Sequence, residues 1–359
     1  MRILHLSTAR SWRGGEHQAL LLATGLARRG HEELVACPPA SPLAERARAD
    51  GLEVAPLTAH GELDLLAAWR LARLVRRFRA DVVHAHDAHA AATAALAGFL
   101  ARRAKLVVAR RVDFALRSLW KYHRAARVIA ISEGVRRALA ESGLETARVA
   151  VVHSGVDPER FAGRPSREAA RAALDLAPDA HVAAHVAALV DHKDQRTLLA
   201  AWARVAAERP GARLLVAGAG ELELELRAQA ESLDIKGSVR FLGWVENVGA
   251  VLAAADAFVL SSKLEGLCTS LLDAMACSLP VAATRAGGVG EIVTRETGRL
   301  VAVGDAPALA GAVLGLFADP DARARMGEAG RARVLDEFTA ERMVERTLAV
   351  YRELAEGGA

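Results

Sequence analysis

The sequence predicts an α/β protein made of two doubly wound, parallel-sheet halves. Three observations carry this expectation. Short apolar runs of strand length alternate with helix-like segments along the whole chain. The alternation is interrupted once, by a polar stretch near the middle, and then restarts. The 359 residues are enough for two domains, each with its own core.

Strands in the first half are expected at Arg2–Leu6, Glu33–Ala36, Val54–Leu57, Asp81–His84, Lys105–Ala109, Arg127–Ala130 and Val149–His153. The second half repeats the pattern at Val182–Ala188, Arg213–Ala217, Val239–Leu242, Ala257–Leu260, Val281–Ala283 and Gly298–Val301. Between them, Asp157 to Pro178 is polar, Arg-rich and punctuated by proline, and reads as a linker. This gives domains 1–157 and 158–339, facing each other across a cleft. The run Ala88–Ala101 carries little charge but is too short to cross a bilayer, so it reads as a buried helix. A charged amphipathic helix over Ala340–Ala355 ends the pattern. In open sheets of this kind ligands sit at the carboxyl ends of strands, so the loops after strands are the places to search.

Composition narrows the classes. The N-terminal MRILHLS enters a strand pattern directly, with no charged and then apolar leader, so a secretory signal is not expected. Cys37, Cys268 and Cys277 have neither disulfide nor metal spacing, which suits a reducing cytosol. Net charge is +4 and unevenly spread. From His60 to Arg137 there are sixteen Lys/Arg against six Asp/Glu, including Arg70, Arg73, Arg76, Arg77, Arg79, Arg102, Arg103, Lys105, Arg110 and Arg111, with Trp120-Lys-Tyr122 among further arginines. Such a surface is either a solvated helix face or a dock for anionic lipid at the inner face of the cytoplasmic membrane. No nucleic-acid motif accompanies the charge, so nucleic acid is not an expected partner.

The segment Ser262–Glu291, SKLEGLCTSLLDAMACSLPVAATRAGGVGE, is the most informative. Glu265 stands beside a small-residue loop, and Asp273 comes eight positions later. Ser270-Leu-Leu-Asp273 has capping-box spacing, Pro280 stops the helix, and Val281 opens a strand. A loop-to-helix junction offers backbone amides and a positive dipole end to a phosphate. Acids flanking it suit sugar hydroxyls, which together point towards a nucleotide-sugar. Eight helical residues rise roughly 12 Å. That exceeds the roughly 5–10 Å between the two carboxyls of a glycoside hydrolase.

This segment resembles the E-x7-E region of retaining glycosyltransferases of family 4, which have the GT-B fold of two Rossmann-like domains. The matching residues are Glu265-Gly266, Asp273 in place of the second Glu, Ala274-Met275-Ala276, Pro280-Val281, Gly287-Gly288 and Glu291. Cys268 departs from the family, which has Gly there. The resemblance implies sugar transfer from a UDP- or GDP-sugar to a hydroxyl acceptor, with retention, no metal and no cofactor. It makes Glu265 and Lys193 the catalytic pair. The acid holds donor hydroxyls and the cation holds the leaving diphosphate. It assigns Gly266, Leu267, Cys268, Thr269, Ser270 and Asp273 to donor binding, with Asp273 on the ribose. Gly14 and Gly15 resemble the family's G-G-x-E phosphate loop, ahead of a helix expected near His17.

Gly218 and Val245 are assigned to the nucleotide, from a partial glycine fingerprint and from Gly243-Trp-Val; Trp244 reads equally well as a core residue. Two family positions are altered. Ala188 stands where an Arg would join Lys193, with His192, Arg196 or Arg111 as replacements. Arg111 stands where a His would approach the sugar. His86, Arg110 and Arg111 are placed on the acceptor side, for a saccharide or lipid-linked saccharide. The run His84–His89 is not spaced as helical metal ligands, and Asp319-Pro-Asp321 reads as a helix start, so no metal is expected. By the same resemblance the C-terminal helix, 340–359, returns to the first domain. The expected role is in lipopolysaccharide or surface polysaccharide synthesis. The rivals are a sugar-nucleotide epimerase of the same fold and a non-catalytic sugar-nucleotide-binding scaffold.

Overall fold

The structure is a computed structural model and describes residues 1–99, 104–116 and 118–356. The chain divides into two compact units, one of residues 1–155 with 340–359 and the other of residues 156–339. Among the described residues no helix is long and apolar enough to cross a membrane.

In the first unit the order is β1 (Arg2–Leu6), α1 (Gly14–Ala27), β2 (Glu32–Cys37), α2 (Pro42–Ala49), β3 (Glu53–Pro56), α3 (Leu65–Phe78), β4 (Val82–Ala85) and α4 (Ala88–Ala97). It continues with β5 (Lys105–Arg110), α5 (Trp120–His123), β6 (Arg127–Ala130), α6 (Glu133–Glu141) and β7 (Val149–Val151). The second unit runs through α7 (Arg167–Ala173), β8 (Val182–Val186), α8 (Gln195–Glu208), β9 (Arg213–Ala217), α9 (Glu223–Ser232), β10 (Val239–Gly243) and α10 (Val248–Ala254). Then come β11 (Ala257–Leu260), α11 (Thr269–Ala276), β12 (Val281–Thr284), α12 (Val289–Ile292), β13 (Gly298–Val301), α13 (Ala306–Ala318) and α14 (Pro320–Glu337). The last helix, α15 (Ala340–Glu356), belongs to the first unit.

Both sheets are wholly parallel. Their orders are β3-β2-β1-β4-β5-β6-β7 and β10-β9-β8-β11-β12-β13. Each therefore reverses direction once, between β1 and β4 and between β8 and β11. Loops diverge from the sheet at such points, so the carboxyl ends of these four strands are where each unit can hold a ligand.

The strands are aliphatic on both faces because helices cover both, as parallel sheets require. In the first unit Ile3, Val82, Val107 and Ile129 pack with Leu22 and Leu26 of α1 and with Met343, Val344, Leu348 and Tyr351 of α15. The α1–α15 approach is close. A Cβ on Gly25 would lie 2.5 Å from Val344 Cγ2, so only glycine fits. The second core gathers Leu198, Trp202, Leu214, Val259 and Leu309, and the indole of Trp202 donates to Ser238 Oγ at 3.0 Å.

Three expectations are corrected. The stretch Asp157–Pro178 is not a linker but part of the second unit. Phe161 is buried, and Arg171 of α7 is 2% exposed. Arg171 donates to Asp256 Oδ2 at 2.9 Å, while Arg167 reaches Oδ1 at 2.6 Å and the Val182 amide reaches Oδ2 at 2.8 Å. The arginines that read as solvated linker lock a buried carboxylate instead. Secondly, Lys121 is not on a basic surface, because it is buried and paired with Glu62. Thirdly, Trp244 is not a core residue, being 62% exposed. Arg102, Arg103 and the far ends of the segments 88–101 and 340–359 lie outside the described residues.

Candidate functional site

In the second unit, three loops converge at the carboxyl ends of β8, β11 and β12. The loop after β8 makes a single turn at Asp191–Lys193. The loop after β11 carries Ser261 to Glu265. They are sewn together by the Lys263 amide donating to His192 O at 2.8 Å and by Ser261 Oγ donating to Lys193 O at 2.9 Å. The Gly288 amide, from the loop after β12, donates to Glu265 O at 3.1 Å.

This places two predicted residues, 72 positions apart, in direct contact. Lys193 Nζ donates to Glu265 Oε1 at 2.6 Å, and Ser262 Oγ donates to the same oxygen at 2.7 Å. Glu265 is 6% exposed. A cation able to meet a diphosphate and an acid able to meet sugar hydroxyls thus share one small volume.

Helix α11 starts four residues beyond Glu265. The capping box expected at Ser270 is corrected: the N-cap is Cys268, so Ser270 is the second helical residue and Asp273 the fifth. Cys268 brings no oxygen acceptor to the first-turn amides, and a helix start without one can take an outside anion. Its thiol is pushed up to about 12 by burial, with the Glu265 charge adding, and lies 3.3 Å from Ser270 Oγ. It stays protonated and inert. Asp273 lies 3.9 Å from Arg160 Nη1. Burial raises its carboxyl to about 6, and Arg160 pulls against that rise.

The glycines of Val216–Glu221 have a structural account. A Cβ on Gly218 would sit 1.8 Å from Ala187 O, and one on Gly220 would sit 2.2 Å from Leu189 O. The loop after β9 therefore lies flat against the loop that carries Ala188. Ala188 is exposed. Of the replacements suggested for its missing Arg, Arg196 is engaged elsewhere, bonded twice to Glu225 at 2.6 and 2.8 Å and once to Asp191 at 3.0 Å. Val245 is half-buried after β10. Asp319 caps α14 by accepting from the Ala322 amide at 2.8 Å.

In the first unit α1 begins at Gly14, three residues before the expected start, so Gly14 and Gly15 are themselves its first turn. Glu16 reaches back to the Arg13 amide at 2.9 Å, and burial raises its carboxyl above the usual range. Asp87, which sequence reasoning did not single out, organises the neighbouring loop. It accepts from Thr8 N and Thr8 Oγ1, both at 2.7 Å, and caps α4 through the Ala90 amide at 2.8 Å.

The stem of Arg111 packs here; a Cβ on Gly15 would lie 3.6 Å from its Cδ. Its guanidinium is lowered to about 10 by burial, so it stays charged at neutral pH. Arg110 turns away, donating to Phe114 O at 2.6 Å and bracing the loop after β5.

His86 is buried rather than solvent-facing, at 6% exposure. One ring nitrogen each from His5, His84 and His86 lies within 4.8 Å of the others, a grouping that could suit a transition metal. The hydrogen bonds favour a different account. Arg111 Nη2 is 3.4 Å from His86 Nδ1, His86 Nε2 is 2.9 Å from His5 Nδ1, and His5 Nε2 is 2.8 Å from Glu33 Oε2. Arginine can only donate and the carboxylate accepts, so every proton in this row points from Arg111 towards Glu33. A dication would also meet the Arg111 charge. Burial holds His84 and His86 well below the usual imidazole value, and Tyr351 Oη lies 2.6 Å from His84 Nδ1. His5 and Glu33 carried no local sequence signal, since the row draws its members from β1, β2 and the ends of β4 and β5.

Comparison with known proteins agrees with this architecture. Residues 166–333 match the family model of glycosyl transferases group 1, and residues 12–160 match that of Glycosyltransferase Family 4. A GDP-mannose-dependent monoacylated alpha-(1-6)-phosphatidylinositol monomannoside mannosyltransferase of Corynebacterium glutamicum is 39% identical over 54% of this chain and 53% of its own. The lipopolysaccharide core biosynthesis glycosyltransferase LpsE of Rhizobium meliloti is 35% identical over 50% of this chain and 52% of its own. The matched part thus spans about half the length of these relatives.

Among solved structures, HepE of Anabaena in complex with UDP superposes with a TM-score of 0.87 at 22% identity, covering 98% of this chain and 100% of that one. A glycosyltransferase from Rickettsia africae gives 0.88 at 19% identity, covering 99% of both chains. These likenesses show the GT-B fold. With both halves matched by their respective models, the chain belongs to the group 1, family 4 glycosyltransferases.

Proposed function

We propose that this protein transfers a sugar from a nucleotide-sugar to a hydroxyl acceptor, with retention of configuration and without a metal. The observation that carries the reading is the Lys193–Glu265 pair, held at 2.6 Å by three loops, with the start of α11 only four residues beyond. Under this reading the amides of Thr269 and Ser270, with Lys193, meet the diphosphate, where negative charge grows as the glycosidic bond breaks. Glu265 accepts from donor sugar hydroxyls and Asp273 from the ribose. The acceptor oxygen attacks from the face the nucleotide leaves, and the departing phosphate oxygen takes its proton.

The nucleotide is UDP or GDP, a choice supported by relatives and neighbours whose names record GDP-mannose, UDP and UDP-glucose. The acceptor is a saccharide or lipid-linked saccharide of lipopolysaccharide or surface polysaccharide, as the names of LpsE and LpsD of Rhizobium meliloti suggest. A lipid-linked acceptor would bring the protein to the inner face of the cytoplasmic membrane.

The test is a panel of UDP- and GDP-sugars, screened first by thermal shift, since a ligand that binds the native state raises its melting point. Positive donors are then assayed for nucleotide release. Release that depends on an added saccharide acceptor supports transfer. Tight binding with no turnover in any acceptor mixture would replace the proposal with the scaffold reading.

A further inference from the structure

Helix α3 presents a surface that the candidate site does not use. Its inner face, Ala67, Ala68, Leu71, Ala72 and Val75, is buried, and it packs on the alanine-rich α4. The outer face is unusual. Leu63, just ahead of the helix, is 74% exposed, Leu65 71%, Leu66 55% and Trp69 45%. Large apolar side chains crowded together in solvent mark a contact surface, whereas scattered ones do not.

Towards its C-terminal end the same face turns cationic. Arg70, Arg73, Arg76 and Arg77 are all exposed. Positions 66, 69–70, 73 and 76–77 recur at helical spacing, so the apolar and basic groups form one stripe. No acid lies within α3. Of the two acids just before it, Asp64 is taken by the amides of Ala67 and His60, and Glu62 pairs with Lys121. The Arg73 guanidinium lies 4.8 Å over the Trp69 ring, which supports the indole from the side.

Charge complementarity selects the occupant. An apolar tip continuous with an unopposed row of arginines matches the boundary of an anionic bilayer. There leucine and tryptophan enter at headgroup depth, while guanidiniums remain on the phosphates and can bind them bidentately. We propose that α3 docks this protein on anionic lipid, lying along the surface with Leu63, Leu65, Leu66 and Trp69 inserted and the four arginines on lipid phosphates. The attachment is peripheral and reversible. Each arginine near such a surface raises partitioning about fivefold, so the four together supply on the order of 10²–10³-fold. That share is screened by salt. The proposal deepens the lipid-linked acceptor reading by naming the docking element, but it is carried by the α3 surface alone.

The test is co-sedimentation of the full chain with vesicles, without donor or acceptor. Equimolar phosphatidylglycerol and phosphatidylcholine are compared with phosphatidylcholine alone. Two variants are used, Leu65→Gln/Leu66→Gln/Trp69→Gln and Arg70→Gln/Arg73→Gln/Arg76→Gln/Arg77→Gln. All seven side chains are exposed, so both variants should melt as the parent does. The expected result is binding to the anionic vesicles only, released by salt, and weakened at least about tenfold in either variant. Absence of binding, binding unchanged in both variants, or a lipid-free dimer abolished by the apolar variant would overturn it. Because no transfer is measured, vesicle binding by an inactive protein leaves docking standing, and transfer without vesicle binding leaves the function standing.

Discussion

Replacing Glu265 by Gln separates the two demands placed on the Lys193 contact. The substitution keeps the shape and an acceptor for Ser262, but removes the negative charge 2.6 Å from the ammonium. Glu265 is 6% and Lys193 18% exposed at the side chain, so a cation deprived of that charge is poorly solvated. Breaking a buried pair costs about 3–5 kcal/mol, and partial exposure of the lysine places this one near 3. A domain of this size loses about 2–4 °C per kcal/mol, so the second unit should melt roughly 6–12 °C lower. Loss of the charged hydrogen bond proposed between Glu265 and the sugar, about 1.5–3 kcal/mol, should lower kcat about 10- to 150-fold.

Binding of the bare nucleoside diphosphate should move the opposite way. Lys193, no longer neutralised by that carboxylate, has a full charge to offer the phosphates, so the Kd for UDP or GDP should fall. Differential scanning fluorimetry reads the first effect, steady-state kinetics the second and calorimetry the third. Unchanged melting together with unchanged nucleotide affinity would refute the claim that this contact governs the site.

Three further outcomes rest on particular contacts. Folding raises the Asp273 carboxyl to about 6 from an ordinary 3.8, so keeping it charged opposes folding above that pH. The penalty is relieved as pH falls through about 6, so Asp273→Asn should raise the melting temperature more at about pH 8 than at about pH 5 while weakening nucleotide binding. Gly218→Ala would force a Cβ to 1.8 Å from Ala187 O at a φ of +142°, so calorimetry should show the second unit destabilised by at least about 3 kcal/mol or unfolded. Asp256→Asn would leave the buried Arg171 without a counter-charge, and chemical denaturation should show a loss of about 3–5 kcal/mol with nucleotide affinity unchanged in the folded fraction.

The strands were legible because a parallel sheet covered on both faces needs uninterrupted aliphatic runs, and all thirteen were expected within a few residues of where they lie. Pairing at a distance was not legible. Composition cannot tell a solvated arginine from Arg171, which folds onto an acid 85 positions away. The Ser270–Asp273 spacing misled because S-x-x-D also occurs inside the first turns of a helix, and here the helix opens two residues earlier than a Ser270 cap would place it, at Thr269. The basic stretch was one feature in the sequence and several in the fold. The α3 arginines face solvent, Lys121 is buried on Glu62, and Arg110 braces a loop. Glu265 and Lys193 were each marked by the loop that carries them, but their contact depends on β8 and β11 lying side by side.

The resting pair also bears on what the alanine at 188 means for donor choice. Ala188 brings no cation where an arginine would stand beside Lys193, and Lys193 is already bonded to the proposed sugar-holding acid, so the two binding roles become coupled. A diphosphate that draws Lys193 away leaves the buried Glu265 carboxylate without that counter-charge, which is unfavourable unless new donors reach it. Under the proposed function, sugar hydroxyls would do so. A nucleotide-sugar satisfies both partners at once, whereas a free nucleoside diphosphate satisfies only the lysine. The pair should therefore favour intact donor over spent nucleotide, which speeds product release, and Glu265→Gln should erase or invert that preference. Measuring Kd for a UDP-sugar and for UDP in both proteins decides it: an equal ratio in parent and variant would show that the two contacts act independently.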